Sequence, residues 1–462
     1  MFKLRKSSFS SCSLCLLCAA AETTLQAQSA GFVYVTNGGG NSGPGVGSIS
    51  AYSIDNQTSA LLPVLGSPFP DPGGPSSIAV NPKVRFAYVA NRGDDTISAY
   101  SISGTTGALT PVPGSPFPQD PAGSNEMPVS VAVDPAGKFV FVANYNYRTV
   151  RAYQIDQNTG ALTQSPGSPF PAGINPQSVT VDLSGKFVYV ANGYHNGNGT
   201  VSAYSIEQST GSLTPVPGSP FSVPIDTTKP RFPAPGSMPV SVTTHATATG
   251  QALYVADSFQ NYIWEYLIEG MTGALALSPA SPFSMPGGPY CVTANSNSYF
   301  LYASNSYPSY PTGSVAGYTI DTVTGSLTAV PGSPFVGGPV PVGVTVDLAG
   351  RFVFTANQGS YLTNYSGTVS AYAVDANTGA LTPVPGSPFA AGLEPTSVAT
   401  APGPSSTTGD RQKRRRPDPP AKRRTNANTN TNAATPFVFR DSGARQSPKA
   451  GALRSTGTLP FI

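Results

Sequence analysis

The side chains between residues 31 and 402 best suited to move protons or hold anions are two histidines and ten arginines and lysines. His195 and His245 are too few and too differently placed for a zinc site or a Ser-His-Asp triad, and no metal site or cofactor is expected. His245 ends an apolar run, whereas His195 lies in the loop Asn192-Gly-Tyr-His-Asn-Gly197, where an imidazole could act as a base. Arg92, Arg148 and Arg151 fall in neighbouring repeats and could hold a phosphate or a developing oxyanion. Lys138, Lys186 and Arg351 belong instead to tight turns. No Gly-x-Ser-x-Gly elbow and no phosphate-cradling loop occurs. A second group is a recognition surface in composition: Tyr147, Arg148, Tyr194, His195, Tyr310 and Tyr365 lie on variable loops rich in Tyr, Asn, Ser and Gly.

These loops are spaced by a repeat. Phe32-Val-Tyr-Val-Thr-Asn37 recurs in copies ending at Asn91, Asn144, Asn192, Asp257, Asn305 and Asn357, with intervals of 54, 53, 48, 65, 48 and 52 residues. Each copy is apolar at successive positions and rich in β-branched and aromatic residues, which suits a strand covered on both faces. Before it stands a second run, such as Pro128-Val-Ser-Val-Ala-Val133, joined through Asp134-Pro-Ala-Gly-Lys138, a turn in which the Asp carboxylate caps backbone N–H groups. Asp182 and Asp347 repeat that device. After it come Val201-Ser-Ala-Tyr-Ser-Ile206, Leu213-Thr-Pro-Val216 and Pro217-Gly-Ser-Pro-Phe221, giving four strands, A to D, per unit. The period suits four-stranded blades around a channel. The recurring strand C tyrosines and the Ser-Pro-Phe phenylalanines are read as packing between blades. The chain enters at a strand B and ends its repeats with a lone strand A, Pro395-Thr-Ser-Val-Ala-Thr400, so the last strand is expected to complete the first blade.

The Tyr-Val-Thr-Asn strand, followed by Ala-Tyr-x-Ile-Asp and Thr-Gly-x-Leu, resembles the YVTN-repeat, lactonase-like β-propeller family over roughly residues 31–402. The resemblance implies an all-β fold of seven four-stranded antiparallel blades. It also implies possible hydrolysis of a sugar lactone, as in 6-phosphogluconolactonases, with His195, Arg148, Arg151 and Arg92 as candidates. The loops favour a different leading reading: an exported recognition or scaffold propeller, monomeric, binding a neutral glycan or a polar protein surface, with the sugar-lactone hydrolase as the alternative.

The flanks differ from the repeats. Residues 1–30 begin Met1-Phe-Lys-Leu-Arg-Lys6 and continue through a Ser, Cys, Leu and Ala-rich stretch, which reads as a cleavable signal and predicts a periplasmic or extracellular protein without a lasting membrane span. Cys12, Cys15 and Cys18 lie in this leader, leaving Cys291 for the body. Residues 403–462 carry twelve basic against three acidic residues and an Asn-Thr tract, a low-complexity tail without a core. The body opposes this with eighteen acidic against ten basic residues. An acidic, exported ring is not expected to bind nucleic acid.

Overall fold

A computed structural model describes residues 29–39, 47–83, 85–119, 125–193, 197–228, 236–295, 298–307, 313–359 and 364–404. Seven antiparallel sheets follow one another as blades 1 to 7. Strand B, the middle of each sequence repeat, runs Ser29–Asn37, Phe86–Asn91, Phe139–Asn144, Phe187–Asn192, Gly250–Asp257, Phe300–Tyr307 and Phe352–Asn357. Strand A runs Pro75–Val80, Pro128–Val133, Pro176–Val181, Pro239–Thr247, Gly288–Ala294 and Pro341–Val346 in blades 2 to 7. The missing strand A of blade 1 is supplied by Pro395–Pro402, which pairs antiparallel with Ser29–Asn37, Val35 opposite Val398. The ring therefore closes as the repeat arithmetic requires. Each strand A packs beside the strand A of the next blade, placing the seven around the axis.

In blades 2, 3, 4 and 7 strand B is buried end to end because both faces meet a neighbouring sheet, and the apolar clusters each draw on two adjacent blades. The Phe-x-Tyr pattern has a specific partner. Tyr34 donates to the Gly107 carbonyl at 2.8 Å in the C–D turn of blade 2, and Phe32 fills the space where a Cβ on Gly107 would lie 2.3 Å from its ring. Gly107 has φ +75°, so only glycine satisfies both demands. Tyr88, Tyr189, Tyr254 and Tyr302 repeat the bond to Gly160, Gly273, Gly325 and Gly379. Strand C runs Ser48–Asp55, Thr96–Ile102, Thr149–Ile155, Thr200–Ile206, Tyr262–Ile268, Ser314–Ile320 and Ser366–Val374, and its tyrosines point back: Tyr100 reaches the Pro70 carbonyl and Tyr266 the Ser222 carbonyl of the preceding blade.

Strand D departs from the simple four-strand expectation. It is split into two short segments, such as Leu61–Pro63 and Phe69–Pro70, which pair with opposite ends of strand C. In the gap the Ser67 hydroxyl accepts the Ala51 N–H at 2.8 Å, and the serine of every Ser-Pro-Phe motif does the same in its own blade. The recurring motif thus replaces a lost ladder bond. The Asp caps form as expected: Asp134 accepts from the backbone N–H groups of Lys138 and Phe139, both at 2.6 Å.

Candidate functional site

Strand A begins with proline in six blades and with Gly288-Pro289 in blade 6, and after that proline it carries one residue too many. Its register with strand B skips a residue in all seven blades, leaving Ser76, Val129, Gln177, Val240, Tyr290, Val342 and Thr396 bulged. A bulge turns its extra side chain away from the alternation of the sheet. All seven of these residues line one cavity of about 490 Å³ on the axis, at the end where strands B finish and strands A start.

Below them stands a belt of small residues: Ser77, Ser130, Ser178, Ser241, Cys291, Gly343 and Ser397. Ser130 Oγ accepts the Val179 N–H at 3.1 Å and Ser241 Oγ the Val292 N–H at 3.1 Å, and with Ser77 and Ser178 these hydroxyls stitch each strand A of blades 2 to 5 to the next. Larger side chains would close the channel here. Cys291 is a free, half-buried thiol in this belt, with its pKa pushed up by burial.

Among the described lining residues only Arg92 and Glu394 carry charge. Arg92 follows the last residue of strand B in blade 2; Glu394 precedes strand A of blade 1 at φ +55°. Its Oε1 accepts from Gln358 Nε2 at 2.8 Å, while Oε2 lies 3.7 Å from where a Cβ on Gly38 would stand. Gly38 therefore leaves room beside the carboxylate. The backbone fixes it too, since Gly38 N–H donates to the Glu394 carbonyl at 2.9 Å and Glu394 N–H to the Tyr365 carbonyl at 3.0 Å. Tyr290 keeps 49% of its surface open. Desolvation by the channel walls raises its pKa above that of an ordinary phenol, with Arg92 opposing. It is a neutral hydrogen-bond donor and acceptor at neutral pH.

The candidates read from the sequence divide sharply. Arg92 enters the axial cavity. Arg148 is exposed on a turn at φ +57° and Tyr147 is 54% exposed beside it, both away from the axis. Arg151 does not serve the axis: it stands on strand C of blade 3, buried at 4% exposure and forked onto Glu126. Tyr365 contributes its carbonyl to the Glu394 turn. Tyr194, His195 and Tyr310 lie outside the described residues. Sequence reasoning missed Glu394, Tyr290, Gln177 and Gln358. For Gln177 the available signal was the recurrent Pro-x-Ser of strand A, in which the middle residue varies, and Tyr290 takes the same place in Pro289-Tyr290-Cys291.

A closed ring of seven antiparallel sheets with a polar, ligand-sized cavity on its axis is a seven-bladed β-propeller. The chain belongs to the family described as lactonase, 7-bladed beta-propeller, whose model matches residues 61–173 and 262–395. A Bacteroides fragilis protein assigned to the 6-phosphogluconolactonases superposes with TM-score 0.60 at 19% identity, over 80% of this chain and 98% of that one. The periplasmic gluconolactonase of Pseudomonas aeruginosa superposes with TM-score 0.58 at 18% identity, over 80% and 99%. Likeness at this identity concerns the fold. No curated protein matches the sequence.

Proposed function

We propose that the axial cavity binds and hydrolyses a small sugar lactone that carries no phosphate. The observation that carries this reading is the convergence of seven bulged residues on a cavity whose described charges are one carboxylate and one guanidinium. Its volume falls within the usual range for small-molecule sites, roughly 300–1,000 Å³. Lactone hydrolysis needs a base for water and donors for the oxyanion. Glu394 supplies the base: Gln358 holds Oε1, and no hydrogen bond from a described residue occupies Oε2. Water attacks the lactone carbonyl carbon as Glu394 takes its proton. Arg92 and the Tyr290 hydroxyl stabilise the tetrahedral oxyanion. Collapse breaks the ring C–O bond, the departing ring oxygen is protonated, and the hydroxy acid ionises with net release of one proton.

A phosphate dianion would face Glu394 with Arg92 as its single described cationic partner in the cavity, which disfavours a 6-phospho substrate. The family, and the Pseudomonas aeruginosa gluconolactonase among the structural neighbours, support the reaction class. The test is proton release from glucono-1,5-lactone and from its 6-phosphate, each net of spontaneous hydrolysis. Turnover favouring the unphosphorylated lactone is expected. Preference for the phosphate would overturn the substrate assignment, and binding of gluconolactone without turnover would make the protein a recognition module.

A further inference from the structure

Off the axis, between blades 2 and 3, lies a second cavity of about 450 Å³. Four of the other blades share one arrangement there. Two residues beyond the strand C partner of the Asn that ends strand B stand Ser50, Ser98, Ser202 and Ser370 in blades 1, 2, 4 and 7, and the serine hydroxyl accepts from that Asn. Blade 3 has Arg151 instead. Its Nε donates to Glu126 Oε2 at 2.8 Å and its Nη2 pairs with Oε1, while Asn144 Nδ2 also donates to Oε2, at 2.7 Å. Both members of the ion pair are buried, at 4% and 2% exposure. A serine would serve the asparagine without removing two charges from water, which is costly.

Gln119 borders the same cavity and is 3% exposed, yet neither its Nε2 nor its Oε1 has a hydrogen-bond partner among the described residues. Matching positions in the other blades carry Asp71, which accepts from Ser98, or apolar residues such as Ala172, Val223 and Met285. An amide left dry on both atoms is unfavourable unless something arrives to meet it. At the rim stands Tyr147, an aromatic face half open to solvent.

We propose that this cavity is a binding site for a neutral saccharide. The Arg151–Glu126 pair is balanced in charge and so does not select an ion. Gln119 offers one donor and one acceptor on a single rigid group, the pairing that vicinal hydroxyls satisfy. Tyr147 supplies a flat surface for the apolar face of a sugar ring. The site is separate from the axial cavity, and its residues do not depend on the lactone reading.

The experiment is saturation-transfer NMR and calorimetric titration of the full chain with a panel of neutral probes: glucose, galactose, mannose, N-acetylglucosamine, maltose and cellobiose. At least one probe should bind, with affinity reduced tenfold or more in Gln119→Leu and in Tyr147→Ala, while Glu394→Gln leaves it unchanged. Gln119→Leu should raise Tm in the absence of sugar, which shows that the variant folds. Binding lost in Glu394→Gln but retained in Gln119→Leu would place the saccharide in the axial cavity and overturn the proposal. So would failure of every probe to bind the unaltered chain at 50 mM, a concentration chosen at roughly the weak end of monosaccharide affinity.

Discussion

Glu265 offers a quantitative test of how the blades pack. It stands on strand C of blade 5 where other blades have Ala51, Ala99, Ala152, Ala203, Gly317 and Ala371. The side chain is fully buried, neither carboxyl oxygen makes a well-formed hydrogen bond, and Oε1 would lie 2.0 Å from a Cβ on Gly325 of blade 6. Burial pushes its pKa from 4.5 up to about 7, the nearby Ser278 hydroxyl opposing. The native state therefore holds its proton more tightly than the unfolded chain does. Below pH 4.5 both states are protonated and Glu265 costs nothing through ionisation; as pH rises through 7 that advantage is lost. The shift of 4.5 to about 7, at about 1.4 kcal/mol per pH unit, amounts to about 3 kcal/mol. Glu265→Gln removes the ionisation and keeps the volume. Urea unfolding of both proteins at pH 4.5, 6.5 and 8.5 should show the stability difference moving in favour of Gln by about 3 kcal/mol across that range. Any constant offset reports the buried amide. A difference that stays flat with pH would refute the claim that burial holds the Glu265 carboxyl protonated.

Asp71, 1% exposed, follows the same sign. Burial raises its pKa to about 6 against the Ser98 hydrogen bond, so Asp71→Asn should gain about 3 kcal/mol between pH 3.5 and pH 8, read by the same unfolding series. Tyr189→Phe removes the 2.9 Å bond to the Gly273 carbonyl and should cost about 1 kcal/mol in urea unfolding; the loss is modest because blades 3 and 7 already carry Phe141 and Phe354 there. In the blade 2–3 cavity, Gln119→Leu should raise Tm, as a scan without sugar will show.

The ring was legible because its determinants are local and repeated. A strand B buried on both faces cannot hide its apolar run, and a lone strand A at 395–400 has one place to go when blade 1 lacks one. The split of strand D was less visible, since nothing in Pro-Gly-Ser-Pro-Phe announces that its serine hydroxyl occupies a ladder position. The axial site was harder still. Alternation assigns the residue after each strand A proline to one face of a regular sheet, and the bulge that aims Gln177 and Tyr290 into the cavity is a property of register. Tyrosine-rich loops drew attention outward to Tyr147 and Tyr365. The former borders an off-axis cavity, and the latter acts through a carbonyl. Glu394 carries no sequence signature beyond being the one acidic residue among the seven that precede the strand A prolines.

The central claim is that chemistry resides at the axial carboxylate. Steady-state hydrolysis of glucono-1,5-lactone by the full chain and by its Glu394→Gln form measures this directly. General-base catalysis of this kind contributes roughly 10²–10⁴-fold. The account predicts that kcat/KM for Glu394→Gln falls at least about a hundredfold, with the Gln358 contact preserved and the thermal unfolding curve unmoved. An undiminished rate in that variant would contradict it.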